Sequence, residues 1–292
     1  MQPTFIPRRS CLYMPGTNSR ALEKARTLPC DVVIMDLEDA VAPDSKKLAR
    51  QSVCDALDNG DYGFRERWVR INALSSEWGE RDLTTVIKHR PDALVLPKVD
   101  NADDVISANE LLREANLHPE IALWAMIESP RAVLNIAHIA AAASSTRLAG
   151  LIFGSNDLAK DLRLQASSER TGLLPALTQT VIAARAYQLE VLDGVYNNIA
   201  DAEGFYQECR QGRQLGFDGK TLIHPSQIDT ANSVFGPQAD AINNAQAIVA
   251  AFAEPDNQGA GVLKINGEMT ERLHLIEAQR LLAQYAALQA RD

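Results

Sequence analysis

The stretch Leu123–Asp157 constrains the fold of this chain most strongly. An apolar run stops at Glu128, an alanine-rich helix-forming segment follows, and a second apolar run stops at Gly154. Short apolar runs bounded by turn residues are typical of buried parallel strands, so we predict a strand–helix–strand unit. Both strands of such a unit end at the same edge of the sheet. Glu128 and Asp157 are therefore predicted to lie close together, where α/β folds bind their ligands.

Two carboxylates on adjacent strand ends suit a hard cation such as Mg2+. This ion takes a few protein oxygens and fills its other positions with water and substrate. Either carboxylate alone could instead cap its strand and pair with an arginine or a helix N-terminus. Their pairing on adjacent strands favours the metal site.

The alternation of apolar strands and helices recurs along the whole chain. Eight strands are predicted: Ser10–Gly16, Asp31–Asp44, Trp68–Asn72, Ala93–Val99, Ile121–Ser129, Leu148–Gly154, Val191–Asn197 and Phe217–Pro225. Seven helices are predicted between them: Thr17–Leu28, Ser45–Leu57, Arg81–His89, Asp103–Asn116, Arg131–Ser144, Leu174–Gln188 and Ala202–Leu215. The regular spacing favours a closed α/β fold, the TIM (β/α)8 barrel, over an open sheet. The length of 292 residues also allows two domains.

The end of the chain exceeds what a barrel needs. We predict a barrel domain over residues 1–235 and a C-terminal extension over 236–292. The extension is predicted to contain a helix, a loop, a short strand or hairpin arm, and a final helix: Pro237–Ala253, Glu254–Gly261, Val262–Gly267 and Glu271–Gln289. A polar loop followed by an amphipathic helix is often a lid or a subunit contact. The alternative is a helix that packs on its own barrel.

Composition excludes several function classes. The net charge of -9 argues against nonspecific binding to nucleic acid or to an anionic membrane. The four cysteines have no CxxC spacing, which argues against structural zinc and favours a reducing cytosol. The proline-broken first residues predict no signal peptide, and the absence of an uncharged apolar stretch of about 18 residues predicts no membrane span. We therefore expect a cytoplasmic protein.

The residues at the predicted strand ends mix carboxylates with cations. They are Tyr13, Glu38, Arg70, Lys98, Glu128, Asp157, Asp193 and His224. In a barrel this end builds the active site, whereas the opposite end mainly serves stability. We predict metal-assisted chemistry on an anionic substrate, in which a metal polarises a carbonyl and Arg70 neutralises a carboxylate or an oxyanion.

Several of these residues have alternative roles. Glu38 could cap the following helix, and Arg70 could pair with Glu38 as well as with substrate. Lys98 could form a Schiff base, although an ion pair is the favoured role. His224 could touch a ligand or cap a turn. The turn Gly154–Asn156 is predicted to offer backbone N–H groups to a carboxylate beside the metal.

Motifs spread over nearly the whole chain resemble those of one family. In order they are RRSCLYMPG (Arg8–Gly16), MDLEDAVAP (Met35–Pro43), VRINALSSEWG (Val69–Gly79), LVLPKV (Leu94–Val99), IESP (Ile127–Pro130), FGSNDL (Phe153–Leu158), DGVYNNIADAEGF (Asp193–Phe205), LGFDGKTLIHPSQI (Leu215–Ile228) and NGEM (Asn266–Met269). Together they resemble the citrate lyase beta-subunit-like family. This is a branch of the HpcH/HpaI aldolases that includes malyl-CoA and citramalyl-CoA lyases.

The resemblance implies a TIM barrel that holds Mg2+ on Glu128 and Asp157. It implies that Arg70 binds substrate oxygens and that Glu38 supports Arg70 or the waters of the metal. The substrate-binding residues it implies are Arg70, Glu128, Gly154, Ser155, Asn156 and Asp157. The family reaction breaks or forms a carbon–carbon bond between a thioester enolate and an α-keto acid.

The tail departs from the family pattern. In CoA-dependent relatives it reads G-K-M-[IV]-D, and its aspartate reaches a neighbouring subunit's site as an acid/base. Here Glu268 stands at the lysine position and Glu271 at the aspartate position. The extra methylene moves the carboxylate by more than about 1 Å, and such misplacement can cost about 100-fold in rate. Either the site is reshaped or the activity differs, and the tail still implies a homotrimer or a dimer of trimers.

Three functions compete. The first is a Mg2+-dependent lyase that acts on a CoA thioester and releases acetyl-CoA and glyoxylate, pyruvate or oxaloacetate. The second is the beta subunit of a citrate lyase, which acts on citryl bound to an acyl carrier protein. The third is a catalytically degenerate scaffold that binds metal or CoA.

Overall fold

The computed structural model describes residues 5–115, 121–165, 167–257 and 259–291. The described chain forms two compact units. The barrel unit is Arg8–Val234, and the C-terminal unit contains the described residues before Arg8 and after Val234. Asn116, the last residue of one predicted helix, lies outside the described residues.

The barrel unit is a closed ring of eight parallel strands, which confirms the predicted TIM barrel. Its strands are β1 (Ser10–Pro15), β2 (Val32–Asp36), β3 (Glu66–Arg70), β4 (Ala93–Leu96), β5 (Ala122–Ile127), β6 (Leu148–Phe153), β7 (Glu190–Asp193) and β8 (Gly219–Leu222). Each strand pairs with its neighbour in chain order, and β8 pairs with β1. All eight carboxyl ends therefore meet at one face of the ring, which we call the mouth.

The helices follow the strands as expected, with two short additions. They are α1 (Ser19–Ala25), α2 (Lys46–Asn59), α3 (Gly79–Val86), α4 (Ala102–Ala115), α5 (Pro130–Ala141), α6 (Ser155–Asp161), α7 (Leu174–Ala186), α8 (Ala202–Leu215) and α9 (Ile228–Phe235). Helices α6 and α9 were not predicted, because each is short and its polar residues resemble a loop. No described helix is long and apolar enough to cross a membrane.

The predicted extent of the second strand is wrong. Strand β2 ends at Asp36 and not at Asp44. The Asp36 carboxylate accepts hydrogen bonds from the backbone N–H groups of Glu38 and Ala40, at 2.9 and 3.1 Å. This turn, closed by an aspartate side chain, bends the chain away from the strand direction.

Large aromatic rings fill the barrel interior. The rings of Trp68 and Trp124 lie 4.4 Å apart, and both residues are fully buried. Gly150 on β6 leaves space for Trp124, because a Cβ at that position would collide with its ring. Beneath the rings, Arg8 forms ion pairs with Glu66 and Glu190. The interior is therefore packed, and open space is found at the mouth.

The C-terminal unit contains a hairpin of two strands, where the sequence predicts one short strand or hairpin arm. Its elements are α10 (Ala239–Ala253), β9 (Val262–Ile265), β10 (Glu268–Glu271) and α11 (Arg272–Gln289). The two strands are antiparallel and are joined by Asn266 and Gly267, which both have positive φ angles. Asn-Gly is the preferred pair for such a two-residue hairpin turn, so the sequence carried this signal.

Candidate active site

A cavity of 340 Å³ opens at the mouth of the barrel. It is lined by residues that lie at or just beyond the carboxyl ends of most of the strands. They are Tyr13, Asp36, Asp39, Ala40, Arg70, Met126, Glu128, Phe153, Gly154, Ser155, Asn156, Asp157, Val195, Thr221 and Ile223. All the predicted substrate-binding residues are among them.

Arg70 is the buried cation of this cavity. Its guanidinium binds Asp36 through two hydrogen bonds, Nε to Oδ1 at 2.7 Å and Nη2 to Oδ2 at 2.6 Å. Its third nitrogen, Nη1, lies 3.1 Å from Glu38 Oε2. The ring of Tyr13 lies 4.7 Å from the guanidinium carbon. The principal partner of Arg70 is therefore Asp36, and Glu38 contributes the second ion pair.

Glu128 and Asp157 meet as the strand–helix–strand unit predicted. Glu128 follows β5 and Asp157 lies in the first turn of α6, and Lys98 links the two carboxylates. The Lys98 ammonium contacts Asp157 directly and lies 3.5 Å from Glu128 Oε1, and the Lys98 backbone N–H donates to the same Oε1 at 2.6 Å. Lys98 thus forms the ion pair that was favoured for it.

Gly154 is required by the close packing of Glu128. A Cβ at Gly154 would lie 2.8 Å from Glu128 Oε2. Gly154 is also the residue from which α6 starts, and the helix continues through Ser155 and Asn156. The predicted turn is therefore the beginning of a helix, whose first N–H groups have no partner within the helix.

Six of the ion-paired side chains at the mouth carry more negative than positive charge, and Asp39, with Oδ2 3.7 Å from Arg70 Nη1, is a further carboxylate there. This mouth cluster consists of Asp36, Glu38, Arg70, Lys98, Glu128 and Asp157. Its four carboxylates and two cations give a formal charge of -2 when all are ionised. Burial and neighbouring charges shift the pKa values of these carboxyl groups. Burial, opposed by Arg70, raises the pKa of Glu38 to about 8, and burial likewise raises the pKa of Glu128.

The mouth cluster fits a divalent cation that is shared between protein and substrate. A 2+ ion would neutralise the excess charge, and oxygen ligands suit Mg2+. Glu38 Oε2 is buried, and apart from its ion pair with Arg70 at 3.1 Å it accepts no hydrogen bond from any described residue, so it can accept a further one. Among the described residues no group of three His, Cys, Asp or Glu side chains is arranged to enclose a metal. Glu128 and Asp157 would therefore supply two ligands, and water and substrate the others.

Four candidates from the strand ends are not among the residues that line the cavity. Glu38 and Lys98 form ion pairs with the lining residues Arg70 and Asp157, whereas Asp193 and His224 have their partners elsewhere. Asp193 is fully buried in a closed cluster with Arg170, Glu208 and Lys220. His224 caps a short turn, with its Nδ1 2.8 Å from Ser226 Oγ. For His224 the turn-capping alternative is therefore the one that the structure shows.

Glu271 lies in the C-terminal unit. It is exposed at the end of β10, and its backbone N–H donates to His274 Nδ1 at 2.9 Å. Its predicted acid/base role remains a prediction.

In the motif MDLEDAVAP, sequence reasoning assigns a site role to Glu38 alone. Asp36 nevertheless lines the cavity and binds Arg70. The available signal was its position as the last residue of the apolar run Val32–Met35, next to the strand that ends in Arg70.

Comparisons with known proteins identify the family of this chain. A family model described as HpcH/HpaI aldolase/citrate lyase matches residues 9–225. The chain is 45% identical over 284 residues to a (3S)-malyl-CoA thioesterase of Cereibacter sphaeroides (strain KD131 / KCTC 12085), covering 97% of this chain and 96% of that one. It is 38% identical over 286 residues to the citrate lyase subunit beta of Escherichia coli (strain K12), covering 96% and 94%.

The fold also matches a solved structure along almost its whole length. The protein CitE of Mycobacterium tuberculosis, in complex with magnesium, acetoacetate and coenzyme A, is 29% identical with a TM-score of 0.75. The match covers 94% of this chain and 97% of that one. The chain therefore belongs to the HpcH/HpaI aldolase/citrate lyase family of enzymes.

Proposed function

We propose that this protein is a Mg2+-dependent carbon–carbon lyase that acts on a 3-hydroxyacyl-CoA thioester of the malyl or citramalyl type. The products are acetyl-CoA and an α-keto acid. The mouth cluster carries the proposal, because it places a net negative charge beside a buried arginine within one cavity. Support comes from the magnesium and coenzyme A bound to CitE and from the malyl-CoA substrate of the thioesterase relatives.

Glu128 and Asp157 hold the metal in this proposal. Bound there, Mg2+ supplies Lewis acidity to the oxygens of the keto-acid portion. The first N–H groups of α6, around Ser155 and Asn156, orient the substrate carboxylate. A citryl-type substrate would yield oxaloacetate, whereas malyl and citramalyl thioesters yield glyoxylate and pyruvate.

The remaining residues accept the proton of the substrate hydroxyl group and stabilise the enolate that forms. The Glu38 carboxylate takes the proton of the 3-hydroxyl group, for which its raised pKa of about 8 is suited. The bond between C2 and C3 breaks, and its electron pair passes to the thioester as an enolate. Arg70 stabilises the enolate oxygen. Protonation of C2 then gives the acetyl thioester.

Glu271 is proposed to deliver that proton from a neighbouring copy in a homotrimer or a dimer of trimers. Exposed apolar side chains in the same region support a subunit contact, since Met269 and Ile276 are 70% and 63% exposed. Glu271→Asp should preserve or raise turnover, and Glu271→Ala should lower it about 100-fold. Full activity of Glu271→Ala would rule out Glu271 as the proton donor. Light scattering would measure the number of subunits in the oligomer.

A second candidate function is hydrolysis of the same thioester. The observation that favours it is the 45% identity, over almost the full length, to (3S)-malyl-CoA thioesterases. In this reaction water attacks the thioester carbonyl, and the products are a hydroxy acid and free CoA.

A citrate lyase role would instead be indicated by copurification of a small acyl-carrier subunit.

One assay separates the two reactions. The purified protein is incubated with Mg2+ and (3S)-malyl-CoA, while glyoxylate is trapped as its phenylhydrazone and free thiol is measured in a parallel sample. The lyase releases glyoxylate without thiol, whereas the thioesterase releases thiol without glyoxylate. Citramalyl-CoA and citryl-CoA are tested in the same way. Absence of both products with all three thioesters, despite bound Mg2+, would contradict the proposal.

A further inference from the structure

We propose that Lys46 is a positioning residue for the active site, which it serves by fixing the loop that carries Asp36 and Glu38. The loop in question is Asp36–Ala40, which joins β2 to α2. Lys46 lies at the start of α2 and is not among the residues that line the cavity. Its ammonium donates its three hydrogen bonds to the loop and to Asn72, so it acts through the loop and not on the substrate.

The Lys46 ammonium donates three hydrogen bonds, two of them to backbone carbonyl groups of this loop. Nζ donates to the backbone carbonyl oxygens of Leu37 and Glu38, each at 2.8 Å, and to Asn72 Oδ1 at 2.7 Å. The side chain is buried, and the ring of Trp78 lies 5.2 Å from Nζ. Two successive carbonyl groups are thus held by one cation, which restrains the peptide units on both sides of the Glu38 Cα atom.

Asn72 anchors this arrangement to the next strand and helix. Its amide donates to Leu37 O at 2.9 Å and to Asp82 Oδ2 at 2.6 Å. Asp82 in turn accepts from Arg50 Nε at 2.6 Å. The network is buried and connects α2, the segment directly after β3, and α3, so the position of the loop is tied to rigid elements.

The opposite side of the loop is held by the mouth cluster. The Asp36 carboxylate closes the turn and at the same time binds Arg70. The Glu38 carboxylate has one ion-pair contact and its Oε2 accepts no hydrogen bond from a described residue. The place of Glu38 is therefore set mainly by its backbone, which Lys46 holds together with the Asp36 carboxylate and the Val41 N–H group.

A buried ammonium is a costly way to stabilise a fold, since a well-packed apolar side chain often does as well. A merely structural lysine would accordingly be replaceable with an effect on stability alone. A positioning lysine would instead affect turnover, because a displacement of about 1 Å in a reacting group can cost about 100-fold in rate. This difference provides the test.

The test compares Lys46→Met with Lys220→Met, a matched change at another buried lysine. Lys220 bonds Asp193 and Glu208 in the closed cluster and does not line the cavity. We measure kcat and KM per folded molecule, calorimetric Mg2+ affinity, and amide hydrogen exchange of the peptide that covers the loop Asp36–Ala40. Lys46→Gln, which retains two donors, is a milder variant in case Lys46→Met does not fold.

Lys46→Met is expected to lower kcat about 100-fold with KM and Mg2+ affinity unchanged, and Lys46→Gln should give an intermediate loss. Both should accelerate exchange in the loop, whereas Lys220→Met should reduce stability and leave kcat and loop exchange unaltered. Wild-type kcat and loop exchange in the Lys46 variants would overturn the inference. The kinetic part rests on the proposed function. If the wild-type protein cleaves no thioester, that function fails, while the exchange measurement still decides the role of Lys46.

Discussion

Two clusters of ionisable side chains in the barrel unit, the closed cluster and the mouth cluster, differ in their charge balance. In the closed cluster, two carboxylates face two cations. Asp193 binds Arg170 at 2.7 Å and Lys220 at 3.0 Å, and Glu208 binds Lys220 at 2.8 Å. In the mouth cluster, four carboxylates face two cations beside a cavity. A neutral, enclosed set of ion pairs maintains structure, whereas an unbalanced set at a cavity is suited to binding a cation.

The largest expected effect is the loss of activity when a mouth carboxylate is neutralised. Glu128→Gln or Asp157→Asn removes a proposed metal ligand, and the several kcal/mol of stabilisation that a metal gives correspond to about 1000-fold in rate. The melting temperature should change little, because relief of repulsion among the carboxylates offsets the lost ion pair with Lys98. Steady-state kinetics measure the activity, and thermal unfolding measures the melting temperature. Retention of activity in either variant would remove that residue from the site.

The same type of change in the closed cluster should affect stability and not catalysis. Asp193→Asn leaves two buried cations short of a partner and should lower the free energy of unfolding by about 3–5 kcal/mol. The kcat of the folded fraction should be unchanged. Urea unfolding at neutral pH provides the measurement, and a marked loss of kcat would contradict the division between the clusters.

The stability lost in Asp193→Asn should depend on pH with a defined sign. Burial acts to raise the pKa of Asp193, but the ion pairs with Lys220 and Arg170 outweigh it, so the pKa lies below its ordinary value of 3.8. The contribution of a carboxylate with a lowered pKa is present above the unfolded-state value and is lost as the pH falls through the folded-state value. The difference between wild type and variant should therefore shrink in acid.

A change at Gly154 should weaken metal binding without removing a ligand. In Gly154→Ala the new methyl group would push against Glu128, which should reduce Mg2+ affinity about 10- to 100-fold, as for other residues that support a ligand. Gly261→Ala is the control, because no heavy atom lies within 4 Å of that position. Calorimetric titration measures both. Equal affinity in the two variants would show that the packing against Glu128 is not needed.

The smallest expected effect is the pH dependence of Mg2+ affinity. Glu38, with a pKa raised to about 8, is largely protonated at neutral pH, and a bound cation favours its ionised form. Mg2+ affinity should therefore rise with pH towards that value, by at most about tenfold per pH unit for one linked proton. Glu38→Gln should flatten this dependence. An unchanged slope in the variant would exclude Glu38 as the linked group.

Much of the fold followed from patterns that are local in sequence. The apolar runs ending in Glu128 and Gly154 determined the strand–helix–strand unit, and its repetition predicted the closed barrel. The convergence of Glu128 and Asp157 followed from the common direction of the strands. These features depend on periodicity and parallel topology, which the sequence displays directly.

The remaining features depend on contacts between residues that are far apart in the chain. Asp36 and Arg70 are 34 positions apart and meet because β2 and β3 are neighbours. Asp193 and His224 also occupy strand ends, yet the partners of Asp193 close around it and the ring of His224 turns to Ser226. Side-chain pairing of this kind decides which strand-end residues face the cavity, and no local pattern encodes it.

The most direct test of the central claim is a calorimetric titration of Mg2+ into the wild-type protein, Glu128→Gln and Asp193→Asn under conditions where all three are folded. We predict one binding site in the wild type, retained affinity in Asp193→Asn, and no measurable binding in Glu128→Gln. Binding that survives in Glu128→Gln would contradict the assignment of the metal to the mouth cluster.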